Sequence, residues 1–297
     1  MTTSQRTEPQ LAADGMPHGQ AVLDGLVKLL DLEQLEVNLF RGVSPPSSPT
    51  RVFGGQVAGQ ALVAAGRTVP DDREVHSLHA YFIRAGDPSV PIVYEAERVR
   101  DGRSFTTRRV LAIQHGEAIF SLSASFQMPQ EGLEHTEPGP QDVPDPLSLP
   151  DLGERVLAGR GAGWMTQIPR PLDIRFVDEP VWSEQRVDAT EQPTRVWMRA
   201  DGILGDDKLL HVCMLTYASD LHLLGSVLAR HAKQEVQMAS LDHAMWFHRP
   251  FRADEWLLYT CYSHTASGSR GLATGRFTTA DGRLVATTVQ EGLVRVR

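Results

Sequence analysis

The chain has 297 residues, of which 41% are hydrophobic and 22% are charged, and its formal net charge is −8. This composition is typical of a globular protein with a substantial core, and the length suits one large domain or two ordinary ones. The negative charge argues against a nucleic-acid-binding protein, which normally carries a basic face. It does not exclude an anionic ligand, because a local arginine cluster can act against the overall sign.

The cysteines and the hydropathy pattern indicate in which cellular compartment the protein is expected. Cys213 and Cys261 are the only two cysteines, and they supply neither a disulfide framework nor a zinc-binding spacing. The N-terminal residues are polar and lack the apolar core of a signal peptide. A membrane span needs a run of about 18 apolar residues, and none occurs. We therefore expect a soluble protein of the cytoplasm.

The first elements in chain order belong to residues 22–127, after an N-terminal stretch of residues 1–21 that we expect to be flexible. A short strand over Glu36–Arg41 is followed by an apolar helix over Gln56–Thr68. Alternating apolar and polar residues then predict strands over Val90–Arg100, Thr106–Gln114 and Ala118–Phe126. The dipeptide Asp101-Gly102 is a hairpin signal.

Residues 128–165 differ in composition from what precedes them. Six prolines occur between Met128 and Pro150, with glycines and acidic residues among them. Proline lacks a backbone donor and holds the chain extended, and the segment offers little apolar surface to bury. It predicts a proline-rich linker.

Residues 166–297 repeat the earlier order of elements. A strand over Thr194–Ala200 precedes a helix over Lys208–Leu228, whose apolar surface extends nearly all round. Strands follow over Glu255–Ser263, Leu272–Thr278 and Leu284–Gln290, with a hairpin signal at Asp281-Gly282. A helix followed by antiparallel strands predicts an α+β unit in each half, with the sheet wrapped around the helix.

The two halves also share short motifs at a nearly constant separation along the chain. FGGQ, ending at Gln56, is followed at that separation by YASD, ending at Asp220. SLSASFQ, ending at Gln127, matches LVATTVQ, ending at Gln290, and Ser77 matches Ser240. A period longer than any solenoid repeat is suited to two tandem copies of one domain. We interpret it as an internal duplication.

Six stretches carry a resemblance to a known family: FGGQVAGQAL (53–62), HAYFIRAGDP (79–88), YASDL (217–221), LDHAMWFHRPF (241–251), EWLLY (255–259) and VQEG (289–292). With them the chain resembles the acyl-CoA thioesterase II family, whose members have two tandem hotdog domains. The resemblance implies an α+β protein of that fold, each domain being an antiparallel sheet wrapped around a central helix. It also implies hydrolysis of fatty acyl-CoA without cofactor or metal, and a homo-oligomer.

The same resemblance assigns three catalytic residues, Asp220, Ser240 and Gln290. A carboxylate accepts a proton from water, and a hydroxyl and an amide can orient that water. An acid in an apolar helix also has its pKa raised by desolvation, which suits a base near neutral pH. The alternative for Asp220 is a helix-interior acid satisfied by a neighbouring hydroxyl or amide.

The duplication predicts that the first half has no second catalytic centre. The positions that match Asp220, Ser240 and Gln290 at the shared separation are Gln56, Ser77 and Gln127. An amide such as that of Gln56 cannot accept a proton as a base. The first half is therefore expected to supply walls and backbone donors.

Candidates for substrate contact lie in the shared motifs: Gly54, Gly55, Gln56, His79, Tyr217, His243 and Trp246. Gly54-Gly55 suits a close backbone approach to an oxyanion at a helix N-terminus, and a plain helix start is an equal alternative. Trp246 is a core residue that can also line an acyl tunnel.

Two other groups of side chains favour less specific interpretations. Five arginines (Arg98, Arg100, Arg103, Arg108 and Arg109) can meet coenzyme A phosphates, although a charged, solvated sheet edge is favoured. The pairs His76/His79 and His243/His248 have odd separations on predicted strands, so their side chains point to opposite faces. Neither pair predicts a metal site.

Two rival functions remain open on the sequence. A hotdog hydratase acting on enoyl or hydroxyacyl thioesters usually needs a histidine with a carboxylate. His243 and Asp242 could serve, but as adjacent strand residues their side chains point to opposite faces of the sheet. A non-catalytic acyl-CoA-binding module is the other alternative.

Overall fold

The computed structural model describes residues 8–45, 50–158, 168–183, 193–231 and 234–297. The elements of the first half are β1 (Gln10–Leu11), β2 (Pro17–His18), α1 (Gln20–Leu30), β3 (Glu33–Glu36), β4 (Leu39–Gly42), α2 (Gly54–Gly66), β5 (Glu74–Phe82), β6 (Ile92–Asp101), β7 (Phe105–Gln114) and β8 (Glu117–Gln127). A 3-10 turn (Pro146–Ser148) and the short helix α3 (Leu152–Leu157) follow. The elements of the second half are β9 (Leu172–Phe176), β10 (Thr194–Ala200), α4 (Lys208–Ser219), a 3-10 helix (Leu224–Arg230), β11 (Val236–Ser240), β12 (Asp242–Phe247), β13 (Leu257–Ser267), β14 (Arg270–Thr279) and β15 (Leu284–Val296).

One antiparallel sheet runs through both halves. Within the described ranges it has 13 strands in the order β3-β4-β6-β7-β8-β5-β12-β15-β14-β13-β10-β9, with β11 paired to β15. The halves meet at β5 and β12, where Ser77 pairs with Trp246 and Tyr81 pairs with Asp242. The predicted α+β organisation is therefore present, and the two sheets are continuous.

The two halves share irregularities in strand register. The pairing of β6 with β7 shifts after Arg98, and the pairing of β13 with β14 shifts at the corresponding place, after Ser263. A second shift, after Ala112, recurs after Phe277 at the same separation along the chain. A bulge is a local disturbance of the ladder, so matched bulges indicate a common ancestral unit. They support the duplication inferred from the sequence motifs.

Helix α2 is the most deeply buried helix of the described residues, and it packs against β6, β7 and β8 on one side and antiparallel to α4 on the other. Glycines make this close approach to α4 possible. A Cβ on Gly55 would overlap the carbonyl oxygen of Tyr217, and one on Gly59 would lie 3.3 Å from the carbonyl oxygen of Cys213. The N-terminus of α2 is therefore held against the C-terminal turn of α4.

Two predicted elements are interrupted in the structure. The helix expected over Lys208–Leu228 ends at Ser219, Asp220 is its C-cap residue, and the 3-10 helix begins only at Leu224. The 3-10 helix packs on β13, β14 and β15. Asp220 thus lies at a helix end and not, as expected, in a helix interior. The single strand expected over Glu36–Arg41 is the hairpin of β3 and β4.

The segment Lys208–Arg230, which contains α4 and the 3-10 helix, is long and apolar enough to cross a membrane, with a mean hydropathy of 1.4. Within the protein, however, 67% of its most apolar part is buried. Packing against α2 and the sheet accounts for this apolar character.

The N-terminal stretch is ordered where the structure describes it, from residue 8, so the expectation that residues 1–21 are flexible is wrong for residues 8–21. Strands β1 and β2 form a small hairpin that lies against the second half. Arg170 forms a buried ion pair with Asp14, and His18 Nδ1 lies 2.8 Å from Asp201 Oδ2. Residues 1–7 lie outside the described residues.

The proline-rich segment after β8 has little regular structure as far as residue 145, and it runs along the second half. Trp197 Nε1 donates a hydrogen bond of 3.0 Å to the Pro144 carbonyl. The Gly139 N–H donates to the Gly282 carbonyl at 3.1 Å. The segment therefore lies against the sheet as a strap; residues 159–165 of the predicted linker lie outside the described residues.

The arginine cluster separates into buried and surface members. Arg108 is fully buried, and its guanidinium donates to the Thr68 side chain and carbonyl and to Asp101. It is a structural residue and is not available to a coenzyme A phosphate. Arg109 is exposed and pairs with Glu97 on the neighbouring strand. Because β7 lies between β6 and β8, this pair is on the solvated face of the sheet and not, as expected, at its edge.

Candidate active site

The three residues assigned to catalysis meet at one point. Gln290 Nε2 donates to Asp220 Oδ1 at 2.7 Å and to Ser240 Oγ at 3.0 Å. Ser240 Oγ lies 3.4 Å from Asp220 Oδ1, long for an O–H···O bond, so its hydrogen is not firmly held by the carboxylate. One amide thus links a carboxylate and a hydroxyl, and these three groups come from three separate elements.

Strand register brings Ser240 and Gln290 together. Ser240 is the last residue of β11 and pairs with Gly292, just beyond Gln290 on β15. A register shift follows before the next pair, Ala244 with Val289. The Gln290 side chain is fully buried on the face of the sheet that covers the helices. The break between β11 and β12 is therefore located at the site.

The N-terminus of α2 closes the other side of Asp220. The Gly55 N–H donates to the Asp220 carboxylate, and the positive end of a helix favours a negative charge. A Cβ on Gly54 would lie 2.6 Å from Asp220 Oδ2 and 2.7 Å from the Phe82 ring. Gly54 is therefore required for the carboxylate to approach the helix.

The electrostatic balance at Asp220 suits a base. Burial raises its pKa to about 6, while hydrogen bonds from Gln290, the Gly55 N–H and Ser240, and the charge of Arg51, oppose the rise. The neighbouring hydroxyl and amide considered as the structural alternative are thus present, and desolvation still dominates. A carboxylate with this pKa is ionised at neutral pH and is a stronger base than an exposed aspartate.

A layer of buried polar groups lies beneath Asp220. His243 Nε2 is 2.9 Å from Ser219 Oγ, and the Tyr259 hydroxyl donates to the Ser219 carbonyl at 3.3 Å. The same hydroxyl lies 2.9 Å from Thr288 Oγ1. These groups fix the residue that precedes Asp220. Sequence reasoning did not find Ser219 or Tyr259, although Ser219 is the serine of the shared YASD motif.

Of the seven candidates for substrate contact, four lie around Asp220: Gly54, Gly55, Tyr217 and His243. Tyr217 is one turn before Asp220, and its ring contacts that of Phe53 edge to face with a centroid distance of 5.1 Å. Gln56 points elsewhere, because its Nε2 donates to the Val43 carbonyl at 3.1 Å and to Ser44 Oγ at 3.2 Å. Tyr217 and Phe53 thus form an aromatic wall beside the carboxylate.

His79 and Trp246 lie on the opposite face of the sheet. Residues of β12 alternate between buried His243 and Met245 and the more accessible Ala244 and Trp246. The Trp246 ring contacts the ring of exposed His79 at a centroid distance of 5.2 Å. These two side chains therefore do not line the Asp220 site, because the sheet lies between, and their contact with substrate stays a prediction.

Strand register also corrects two of the first-half counterparts. Gln290 pairs with Ala273, and Arg108, which holds the matching place on β7, pairs with Ala124 and not with Gln127. The shift that follows Ser240 is matched in β5 by a shift that follows Val75, so Val75 and not Ser77 corresponds to Ser240. The first half therefore lacks the hydroxyl and the amide as well as the acid.

In each histidine pair considered for metal binding, a ring nitrogen is already within hydrogen-bond distance of a hydroxyl group. His76 Nε2 lies 2.8 Å from Ser125 Oγ, and His248 Nε2 lies 2.8 Å from Thr287 Oγ1. Within the part of the chain that the structure describes, no group of three or more His, Cys, Asp or Glu side chains has an arrangement able to hold a metal ion.

Comparison with protein-family models gives two matches. Residues 170–293 match the model described as "Acyl-CoA thioesterase", and residues 43–127 match "Acyl-CoA thioesterase N-terminal domain". The chain is 44% identical over 290 residues to the mouse protein "Acyl-coenzyme A thioesterase 8", covering 92% of this chain and 89% of the relative. It is 39% identical to "Acyl-CoA thioesterase 2" of Haemophilus influenzae, covering 92% and 98%.

Solved structures with a similar fold are also thioesterase II or hotdog proteins. The acyl-CoA thioesterase II TesB2 from Mycobacterium marinum superimposes with a TM-score of 0.76 at 47% identity, covering 92% of this chain and 98% of that one. A hotdog-fold protein from Alicyclobacillus acidocaldarius superimposes with a TM-score of 0.74 at 22% identity, covering 92% and 98%. These similarities confirm the tandem hotdog architecture.

Proposed function

Because the chain belongs to the acyl-CoA thioesterase family, we propose that it cleaves fatty acyl-CoA with a water molecule that Asp220 activates and that Ser240 and Gln290 orient. The observation that carries the proposal is the three-way contact of the Gln290 amide with the Asp220 carboxylate and the Ser240 hydroxyl. A thioester needs little more than a placed water, because its carbonyl is electrophilic and a thiolate leaves readily.

The proposed reaction begins with water beside the carboxylate. Asp220 accepts one proton as the water oxygen bonds to the thioester carbon, and the C–S bond then breaks to release coenzyme A as thiolate. The Ser240 hydroxyl accepts a hydrogen bond from Gln290 Nε2 and turns its own hydrogen toward the water or toward Asp220. The acyl group leaves as the free acid.

The surroundings of Ser240 argue against a serine nucleophile. An activated nucleophile needs a base within hydrogen-bond reach. The base among the described partners of Ser240 is Asp220, and its distance of 3.4 Å is long for an O–H···O hydrogen bond. The histidine in this region, His243, is hydrogen-bonded to Ser219 instead. These contacts support direct attack by water.

Substitutions of Ser240 distinguish a hydroxyl that orients water from a serine nucleophile. Ser240→Thr keeps the hydroxyl and should stay active, whereas Ser240→Ala should lose about 10- to 10³-fold in kcat, as expected for one positioning hydrogen bond. Release of free coenzyme A thiol from palmitoyl-CoA measures turnover. Mass spectrometry of the enzyme quenched during turnover is the decisive control, because an acyl adduct on Ser240 would eliminate the direct-water mechanism.

The pKa of Asp220 predicts the pH dependence. Only the ionised carboxylate accepts a proton, so kcat/KM should fall as the pH drops through about 6. Gln290→Ala removes a hydrogen bond that favours the ionised form, and the acidic limb of the profile should therefore move to higher pH. A profile whose acidic limb is unchanged in Gln290→Ala would contradict the assignment of that limb to Asp220.

The proposal includes one catalytic centre per chain, since Gln56, Val75 and Ala124 occupy the matching positions of the first half. The hydratase alternative is disfavoured because Asp242 and His243 point to opposite faces, with Asp242 Oδ1 accepting the Glu291 N–H at 2.8 Å. A crotonyl-CoA substrate tests it, because hydration consumes the enoyl absorbance and releases no thiol. Cytoplasmic location and homo-oligomeric assembly remain part of the proposal.

A further inference from the structure

His243 is a buried histidine beside the site, and among the described residues only one of its two ring nitrogens has a hydrogen-bond partner. It lies one residue before the Ala244–Val289 pair, and the antiparallel register therefore brings it next to Gln290 across the strands. Both side chains are buried on the face of the sheet that covers the helices. Cross-strand neighbours on one face have Cβ atoms about 4.5–5.5 Å apart, within reach of each other's polar groups.

Each of these two side chains has one polar atom without a partner. Among the described residues, His243 Nδ1 and Gln290 Oε1 are both buried and neither makes a hydrogen bond. A buried polar atom left unsatisfied destabilises the folded protein, because it has lost its hydrogen bonds to water. An imidazole N–H and an amide oxygen are complementary, so one donor would satisfy both atoms.

The orientation of the Gln290 amide matters to the site. Nε2 is the end that donates to Asp220 and Ser240, and a flipped amide would bring Oε1 against the carboxylate. A hydrogen bond at Oε1 therefore fixes the end of the amide that the reaction needs. In the first half, the cross-strand pair at the matching position is Leu78 with Ala124. The histidine and the glutamine are thus present together in one half and absent together in the other.

We infer that His243 is a positioning residue: its Nδ1–H satisfies Gln290 Oε1 through one buried water, or directly after a small movement of the two side chains, and holds Nε2 toward Asp220 and Ser240. With the proton on Nδ1, Nε2 accepts the single hydrogen of the Ser219 hydroxyl, which lies 2.9 Å away, and the Thr216 carbonyl, also 2.9 Å from that hydroxyl, then receives no hydrogen bond from it. Burial lowers the pKa of His243 to about 4, so the ring stays neutral over the working pH range of a base such as Asp220. This inference rests on the proposed role of Gln290.

A double-mutant cycle tests the coupling. The side-chain amide of asparagine reaches about as far as Nδ1 of histidine, and that of glutamine about as far as Nε2. His243→Asn should therefore keep kcat near the wild-type value, and His243→Gln should lower kcat about 10-fold with KM nearly unchanged, as expected for loss of one hydrogen bond. In a Gln290→Ala background, His243→Gln should cause no further loss, because its partner is gone.

A matched control is available in His211, another buried histidine. Its Nε2 lies 2.9 Å from the Gly205 carbonyl, and its Nδ1 accepts the Ala253 N–H at 3.0 Å. His211→Gln should lower the melting temperature without coupling to Gln290. Equal losses for His243→Gln in both backgrounds, or equal losses for the asparagine and glutamine variants, would overturn the inference.

Two outcomes separate this inference from the proposed function. If Gln290→Ala alone keeps full turnover, the proposed mechanism fails; if it loses turnover and the two changes are additive, only the role of His243 fails. Nitrogen-15 NMR of histidine-labelled wild-type protein gives a test that needs no folded His243 variant. The resonance that moves in Gln290→Ala should report a proton on Nδ1, and a proton on Nε2 with a bare Nδ1 would contradict the inference.

Discussion

Asp220→Asn should lower kcat by about 10²-fold or more, in line with loss of a general base. Asparagine has nearly the same shape, and its carbonyl oxygen can still accept hydrogen bonds from Gln290 and the Gly55 N–H. It cannot take a proton from water at neutral pH. Turnover is measured by thiol release, and circular dichroism and thermal melting establish that the variant is folded.

The stability of this variant carries separate information. Burial raises the pKa of Asp220 to about 6 in the folded protein, from an ordinary value of 3.8, so ionisation at neutral pH opposes folding. Removing the charge should therefore leave the melting temperature in mildly alkaline buffer equal or higher. Asp242→Asn is the matched control, since Asp242 also accepts a backbone N–H but lies outside the site. An Asp220→Asn enzyme with wild-type turnover would remove Asp220 from the mechanism.

Gly55→Ala should destabilise the protein by about 1–3 kcal/mol, the usual effect of overpacking. The added methyl group would overlap the Tyr217 carbonyl and the Phe53 ring, forcing α2 and α4 apart. The same movement would separate the Gly55 N–H from Asp220, so turnover should fall as well. Chemical denaturation measures the change in the free energy of unfolding.

Gly25→Ala provides a control for which the free energy of unfolding should change in the opposite direction. Gly25 lies inside helix α1, and a Cβ there would meet nothing within 4 Å. Alanine in a helix interior is more favourable than glycine by about 0.5–1 kcal/mol, so this variant should be more stable than the wild type. If both variants unfolded at the same denaturant concentration as the wild type, the close contact between the helices would not matter for stability.

Much of the fold follows from local patterns in the sequence. Alternation of apolar and polar residues identified the long strands because each has one face on the helices and one face toward solvent. The same reasoning failed at the end of α4. Apolar residues continue from Leu215 through Leu224, and periodicity cannot reveal that α4 ends at Ser219 and that the 3-10 helix begins only at Leu224. That break is what brings the carboxylate to the helix end.

The site was predictable only as far as the motifs reach. Asp220, Ser240 and Gln290 were named from a resemblance, and the structure brings them within hydrogen-bond distance. That His79 and Trp246 lie on the other face from Asp220 was not predictable, because a motif records residue types and not the face of the strand. Ser77 and Gln127 were misassigned as counterparts because similar short motifs align two or three residues away from Val75 and Ala124, the positions that strand pairing matches.

The pairing of β5 with β12 has a consequence for the history and handling of this chain. A single ancestral repeat would carry that strand as an unpaired edge, open to another molecule, and would need a second copy at sufficient concentration to cover it. Joining two copies through the strap makes the encounter intramolecular, at an effective concentration that dilution cannot lower. The joined sheet therefore persists at any protein concentration, and the first repeat shields the neighbour's edge whether or not it carries an acid, a hydroxyl and an amide of its own.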